Sequence, residues 1–233
     1  MAHASDANSA DSASGAGVQD VRREFERDRL EEAQAGHDPH KLFEAWLSDA
    51  LNASIRDATA FVLATVSPQG QPSSRVLLLK GHAPAGYTFY TNYGSRKGTE
   101  LAQNPRGAML FFWAELERQI RIEGEIEKIS REESLTYFQS RPRGSQLGAH
   151  ASPQSSVLRD REELEASLRS VEERYGKGEG AGDSPVPLPD DWGGYVLRPQ
   201  LLEFWQGRSS RLHDRLVFTK DGDESWQRNR LAP

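Results

Sequence analysis

Apolar residues keep helical spacing early in the chain and strand spacing after it. In DPHKLFEAWLSDALNAS, Leu42, Phe43, Trp46, Leu47 and Leu51 recur three or four positions apart, which predicts one apolar helix face. Asp38 can cap that helix and Pro39 suits its first turn. The preceding DVRREFERDRLEEA is mostly charged and predicts an exposed helix. Beyond them TAFVLATV, SSRVLLLK and YTFYTNY are rich in β-branched and aromatic residues, with SPQGQP and HAPAG between them. That pattern predicts an antiparallel meander of three strands. In GAMLFFWAELERQIRIEGEIEKI, Ile120, Ile122, Gly124 and Ile126 alternate with Gln119, Arg121, Glu123 and Glu125, again at strand spacing. Ser130 and Glu133 form a capping box for a helix running to Pro142. SSVLRDREELEASLRSVEERYG predicts a longer helix ended by Gly176, and GKGEGAGDSPVPLPDD a surface connector. The chain closes with strand-like GGYVLRP, LLEFWQ, RLHDRLVFT and SWQRNRLAP. Many short strands flanked by helices predict an α+β protein built on an antiparallel β-barrel.

Composition narrows the function. A chain of 233 residues can bury a substantial core, and no apolar run approaches membrane-spanning length. The polar start, MAHASDANSADSASGAG, lacks the basic and apolar regions of a secretory signal. It predicts a disordered tail over residues 1–18, with 19–233 as a single domain. The absence of cysteine excludes disulfides, thiolate metal sites and a cysteine nucleophile, and fits a reducing, cytoplasmic compartment. A net charge of −6 argues against a nucleic-acid partner, so local basic clusters point to small anions. The six histidines offer no close ligand pair except His37 and His40, so no metal site is expected.

Four basic segments remain. Arg75 and Lys80 bracket the apolar RVLLLK, which two solvated strand ends explain well. In YTNYGSRKGTELAQNP a strand ends near Tyr90 and Thr91 and a helix starts around Ser95, with Arg96 and Lys97 in its first turn. Basic residues are unfavourable there unless an anion sits on the helix start, so a phosphate is the better reading over a chance pair in a loop. In YFQSRPRGSQLG, Tyr137 and Arg141 share a helix face and Ser145 follows in a loop. A second phosphate pocket and ordinary helix C-capping by arginine explain this equally well. In EFWQGRSSRLHDR, strand spacing puts Arg211, His213 and Arg215 on one face and Leu212, Asp214 and Leu216 on the other. Such a face could grip an anion and handle a proton, or pair with a carboxylate across the sheet.

Taken in order, RVLLLK, FYTNYGSRKG, LERQIRIEG, YFQSRPRGSQLGA, QSS, PLPDDWGGY, EFWQG, RLHDR and RLAP resemble the pyridoxine/pyridoxamine 5′-phosphate oxidase family, from about Arg22 to Pro233. The resemblance implies a split β-barrel homodimer with FMN at the subunit interface. It implies oxidation of pyridoxine or pyridoxamine 5′-phosphate to pyridoxal 5′-phosphate, with dioxygen reoxidising the flavin and hydrogen peroxide released. By motif, Arg75, Val76, Lys80, Tyr90, Thr91, Arg96, Lys97 and Gln119 would contact FMN, and Gln154, Ser155, Trp205 and Arg215 would do so from the other subunit. Lys80, Tyr137, Arg141 and Ser145 would hold the substrate phosphate. Arg211 and His213 would be the catalytic pair over the pyridine, with Leu212 between them. Arg22 and Phe25 belong to a segment expected to fold over the substrate, where Phe25 replaces the family's tyrosine and loses its hydroxyl. Gly144 and His150 stand where members often carry Asp and Trp. A flavin oxidase of phenazine type, a non-catalytic cofactor carrier and a polyanion-binding module are the competing readings.

Overall fold

The computed structural model describes residues 24–25, 27–177, 185–222 and 225–233. The expected tail and Arg22 lie outside them.

Helix α2 (Pro39–Asn52) forms as its sequence predicts. The Asp38 carboxylate accepts from the His40 and Lys41 amides, and Phe43, Trp46, Leu47 and Ala50 are buried. Leu51, expected on the same face, is 56% exposed. Its neighbour α1 is only one turn (Glu32–Ala35), and the described residues of 24–31 are not helical. Their backbone donors go to distant carboxylates instead: the Arg27 amide to Glu117 at 3.1 Å and the Leu30 amide to Asp214 at 3.2 Å. Tertiary hydrogen bonds thus override a local helical preference.

Among the described residues nine strands follow: β1 (Ala60–Val66), β2 (Pro72–Leu78), β3 (Gly81–Ala83), β4 (Gly86–Asn92), β5 (Arg106–Trp113), β6 (Arg118–Lys128), β7 (Trp192–Gln206), β8 (Asp214–Asp221) and β9 (Ser225–Arg230). All pairings are antiparallel, in the order β2-β1-β5-β6-β7-β4-β3, with β8 on β7 and β9 on β8. The expected three-strand meander is therefore not formed, because β4 pairs with β7 and not with β2. Only Leu79 and Lys80 separate β2 from β3, at opposite ends of that order. The Leu79 amide donates to Thr59 and the Lys80 amide to Thr88, both at 2.9 Å, so one bent segment joins both ends and closes the sheet into a barrel. Phe61, Leu63, Phe89, Met109, Phe111, Ile120, Ile122, Leu202 and Phe204 fill it, and Phe43 of α2 packs on Tyr87 and Phe111.

The two strands read as GGYVLRP and LLEFWQ are one, the 15-residue β7. A bulge between Glu123 and Gly124 accommodates Pro199 in it. A Cβ at Gly124 would lie 1.9 Å from the Arg198 carbonyl oxygen, so only glycine fits. Helices α3 (Arg96–Gln103), α4 (Arg131–Ser140), α5 (Arg143–Ala151) and α6 (Arg161–Tyr175) flank the barrel. The α4 capping box is present, while α6 starts later than expected, at the Asp160 cap. No helix among the described residues is long and apolar enough to cross a membrane.

Candidate functional site

Thr91 near the end of β4 and Ser95 at the N-cap of α3 bring oxygens to Lys97. The turn between them is tight: a Cβ at Gly98 would fall 2.1 Å from the Tyr93 carbonyl oxygen. Lys97 is 6% exposed, and its Nζ donates to Gln154 Oε1 at 2.7 Å, Thr91 Oγ1 at 3.0 Å and Ser95 Oγ at 3.1 Å. None of these partners is a carboxylate. Burial, and then the charge of nearby Arg75, push its pKa down to about 8. The resemblance assigns Gln154 and Ser155 to the other subunit. Here Gln154 is bound to Lys97 of its own chain, and Ser155 lines a 410 Å3 cavity with Arg96.

Behind Lys97, Glu100 is 5% exposed and gathers donors from three elements. It accepts from Thr65 of β1, Ser73 of β2 at 2.7 Å and Arg96 Nε at 2.9 Å, and Arg75 lies 3.5 Å away. Arg75 also donates to the Leu63 carbonyl and to Thr65 and Ser73. Burial alone would raise the Glu100 carboxyl, but the Thr65, Ser73 and Arg96 donors outweigh it and hold it at about 2. Because this lies below the unfolded value of about 4.3, the stabilisation is complete above that pH and is lost as pH falls towards 2. In urea titrations the parent should therefore exceed Glu100→Gln in stability at pH 6, with the gap narrowing by pH 3. A gap independent of pH would show that the carboxylate charge is not what holds this corner.

On the other side of β4, Tyr90 stacks on Tyr137 of α4 at 3.8 Å and on Trp192 at 5.6 Å. Lys80, Tyr90 and Tyr137 line one 530 Å3 cavity. Arg141 is not on the helix face with Tyr137, as helical spacing predicted, but is the extended C-cap residue of α4. Its guanidinium lies 4.6 Å over Trp192, and Nη1 is buried with no hydrogen-bond partner among the described residues. Nor does the guanidinium cap the helix. The Gln146 amide takes the Phe138, Gln139 and Arg141 carbonyls, which leaves the guanidinium uncommitted. Ser145 lies exposed in the first turn of α5 and not in a loop.

The opening of β8 departs from the predicted strand. Ser210 and Arg211 have left-handed φ of 56° and 59°, and the strand starts only at Asp214, so Arg211, His213 and Arg215 do not share a strand face. Arg208 and Asp214, paired at 3.0 Å, tie this connection across its base. Gln119, Trp205 and Arg215 are cross-strand neighbours on β6, β7 and β8. Arg215 has a carboxylate partner, Glu203 at 2.8 Å, which also accepts from Arg121. The imidazole of His213 lies 4.7 Å from the Trp205 ring, and Phe25 packs edge-on against both at 5.7 Å. Burial, and then Arg211, lower the pKa of His213. Leu212 is 70% and Val76 65% exposed.

Residues 47–175 match the family model for pyridoxamine 5′-phosphate oxidase. Residues 192–233 match that for the pyridoxine 5′-phosphate oxidase C-terminal dimerisation region. A pyridoxine/pyridoxamine 5′-phosphate oxidase of Thermosynechococcus vestitus is 52% identical over 93% of this chain and 99% of its own length. The chain belongs to the pyridoxamine 5′-phosphate oxidase family. Another relative so named, from Rubrobacter xylanophilus, is 52% identical over 91% of this chain and 95% of its own. Among solved structures, PhzG from Burkholderia lata in complex with tetrahydrophenazine-1-carboxylic acid superposes with a TM-score of 0.80 at 32% identity, covering 88% of this chain and 98% of that one. A pyridoxamine 5′-phosphate oxidase-related, FMN-binding protein of Nostoc punctiforme shares the fold, with a TM-score of 0.66 at 18% identity over 84% of this chain and 98% of its own.

In this member of the pyridoxamine 5′-phosphate oxidase family, the sequence motifs name the candidate cations but not the groups that arrange them. Glu100, Gln146, Glu203 and Asp214 were not singled out. Only Glu100 carried a local signal, its i,i+4 spacing from Arg96.

Proposed function

We propose that the chain is an FMN-dependent oxidase of pyridoxamine and pyridoxine 5′-phosphates, acting as a homodimer through its C-terminal region. Pyridoxine 5′-phosphate and dioxygen would give pyridoxal 5′-phosphate and hydrogen peroxide; the amine would in addition consume water and release ammonia. One observation carries this reading: two cations, the buried Lys97 and the half-buried Arg141 with its buried Nη1, lack a carboxylate partner among the described residues. Unpaired buried charge is costly, so two such cations on opposite sides of β4 fit two separate phosphates, one on the cofactor and one on the substrate.

The residues fit FMN. Lys97, Arg96 and Arg75, with Thr91, Gln154 and Ser155, would hold its phosphate. Val76, Lys80, Tyr90, Gln119, Trp205 and Arg215 would lie along the rest of it. When bound, the flavin supplies the two-electron acceptor, and the protein supplies orientation and charge. Lys80, Tyr137, Arg141 and Ser145 would take the substrate phosphate. Arg211 and His213 would address the pyridine, while Phe25 and Arg22 would shield it from water. Strand β7 pairs with β4 and β6 of the N-terminal matched region, which supports residues 19–233 as one unit.

The structural likeness to PhzG favours a second reading, a flavin oxidase of unphosphorylated phenazine precursors. The uncommitted Arg141 argues for a phosphorylated substrate. The purified protein should be yellow and should release peroxide from pyridoxamine 5′-phosphate in air, in proportion to the aldehyde formed. A yellow protein giving no peroxide with either phosphorylated substrate would shift the reading to the phenazine type. A colourless one whose ligand affinity falls steeply with salt would point to a polyanion binder.

A further inference from the structure

Arg141 stands before Pro142, and a proline disfavours helical backbone at the position preceding it. Helix α4 therefore ends there, and Arg141 is extended, with φ −74° and ψ 148°. Its side chain leaves the helix and comes to lie over the Trp192 ring, 4.6 Å from the centre. The resemblance assigns Trp192 no role, yet the indole is closely fixed. It is buried, and it stacks nearly parallel to Tyr90 at 5.6 Å and to Tyr137 at 6.3 Å. Phe138 closes on it edge-on at 5.2 Å. Its backbone carbonyl accepts from Arg131 Nη1 at 3.2 Å, which ties it to the start of α4. Strand β7 can approach β4 this closely because Gly194 is the register partner of Tyr90. A Cβ there would lie 2.8 Å from the Tyr90 ring.

We propose that Trp192 is a positioning residue for phosphate recognition: its indole face holds the Arg141 guanidinium in place and leaves the N–H edge open to the substrate phosphate. The inference rests on the oxidase reading given above. A long, unpaired arginine side chain populates many rotamers, and a ligand that has to order it binds more weakly. Attraction to an aromatic face restrains the guanidinium without using any of its N–H groups. A carboxylate would restrain it too, but would occupy donors the phosphate needs, as Glu203 occupies Nε of Arg215. At Arg141 the buried Nη1 has no hydrogen-bond partner among the described residues, as a donor kept open requires. Trp192, being buried, acts through Arg141 and not by touching the ligand.

4-Deoxypyridoxine 5′-phosphate has a methyl group where the substrates carry the group to be oxidised, so its binding to the FMN-loaded protein can be titrated without turnover. Trp192→Leu should weaken that binding about 5- to 30-fold, the size of a desolvated cation–aromatic contact. In an Arg141→Met background the same substitution should cost less than about twofold, because the two residues act as a unit. Trp192→Phe, which keeps an aromatic face, should recover most of the loss. Equal weakening in both backgrounds would make the indole mere packing and overturns the proposal, as does unchanged affinity in Trp192→Leu. A second measurement needs neither ligand nor a folded Trp192 variant. The Arg141 guanidinium protons, assigned with Arg141→Met, should be shifted upfield in the parent by the indole ring current, and unshifted signals also overturn the proposal. If the parent neither binds the analogue nor forms peroxide from either phosphorylated substrate, the oxidase reading fails and the phosphate role of Trp192 with it. The ring-current shift then separately decides whether the indole holds Arg141.

Discussion

Replacing Lys97 with methionine is expected to weaken FMN binding by about 100-fold or more, while the apo-protein at neutral pH becomes no less stable than the parent. Loss of a buried side chain normally destabilises, but the hydrogen-bond partners of this ammonium among the described residues are neutral oxygens. Those oxygens do not depend on it: Thr91 Oγ1 donates to Gln154 Oε1 at 3.1 Å, and Ser95 Oγ to the Asn92 carbonyl at 2.7 Å. Methionine therefore fills the volume and removes the charge. The pH dependence gives a second check. The folded pKa of about 8 lies below the unfolded lysine value of about 10.4, so below pH 8 the folded apo-protein carries a charge its surroundings disfavour. That penalty is relieved as pH rises from 8 towards 10.4. Relative to Lys97→Met, the apo parent should gain stability between pH 7 and 9.5 in urea unfolding, and bound FMN should abolish the gain. Flavin titration with unchanged affinity in the variant would remove Lys97 from the phosphate site.

How far the sequence could be read follows the length of the interactions involved. The caps of α2 and α4 were legible because Asp38 with His40, and Ser130 with Glu133, act within three residues. The sheet order was not, because Tyr90 pairs with Gly194 across the whole α4–α6 region, and no local pattern marks that partner. Arg27 and Leu30 lie in a segment of helix-forming charges, yet their amides are claimed by Glu117 and Asp214, far away in sequence. In EFWQGRSSRLHDR the alternation is real but its strand begins late, since the Arg208–Asp214 pair and the bond from Arg208 to His213 close a loop that interrupts it. The family motifs name the cations of the candidate site. Which carboxylates and amides would restrain them, and which cations would be left without one, needed the fold. Arg215 was bound to Glu203, whereas Arg141 was left free by Gln146.

That difference sets the second large effect. Arg141→Met is expected to raise KM for pyridoxamine 5′-phosphate by about 100- to 1000-fold while FMN content stays near that of the parent. The buried Nη1 has no partner to lose among the described residues, Gln146 already satisfies the end of α4, and the guanidinium plane lies over Trp192. Truncation thus removes a ligand contact without opening an unsatisfied group inside the protein. Arginine can offer two parallel N–H donors to a phosphate and lysine cannot, so Arg141→Lys should restore only part of the affinity. Because the phosphate is remote from the carbon being oxidised, kcat should fall less than KM rises, unless grip on the phosphate is also what aligns the ring. Unphosphorylated pyridoxamine, turned over poorly by the parent, should be handled almost equally by Arg141→Met. That comparison separates the two oxidase readings: a phenazine-type enzyme makes no use of a phosphate grip, and in it Arg141→Met would leave KM for its own substrate unchanged.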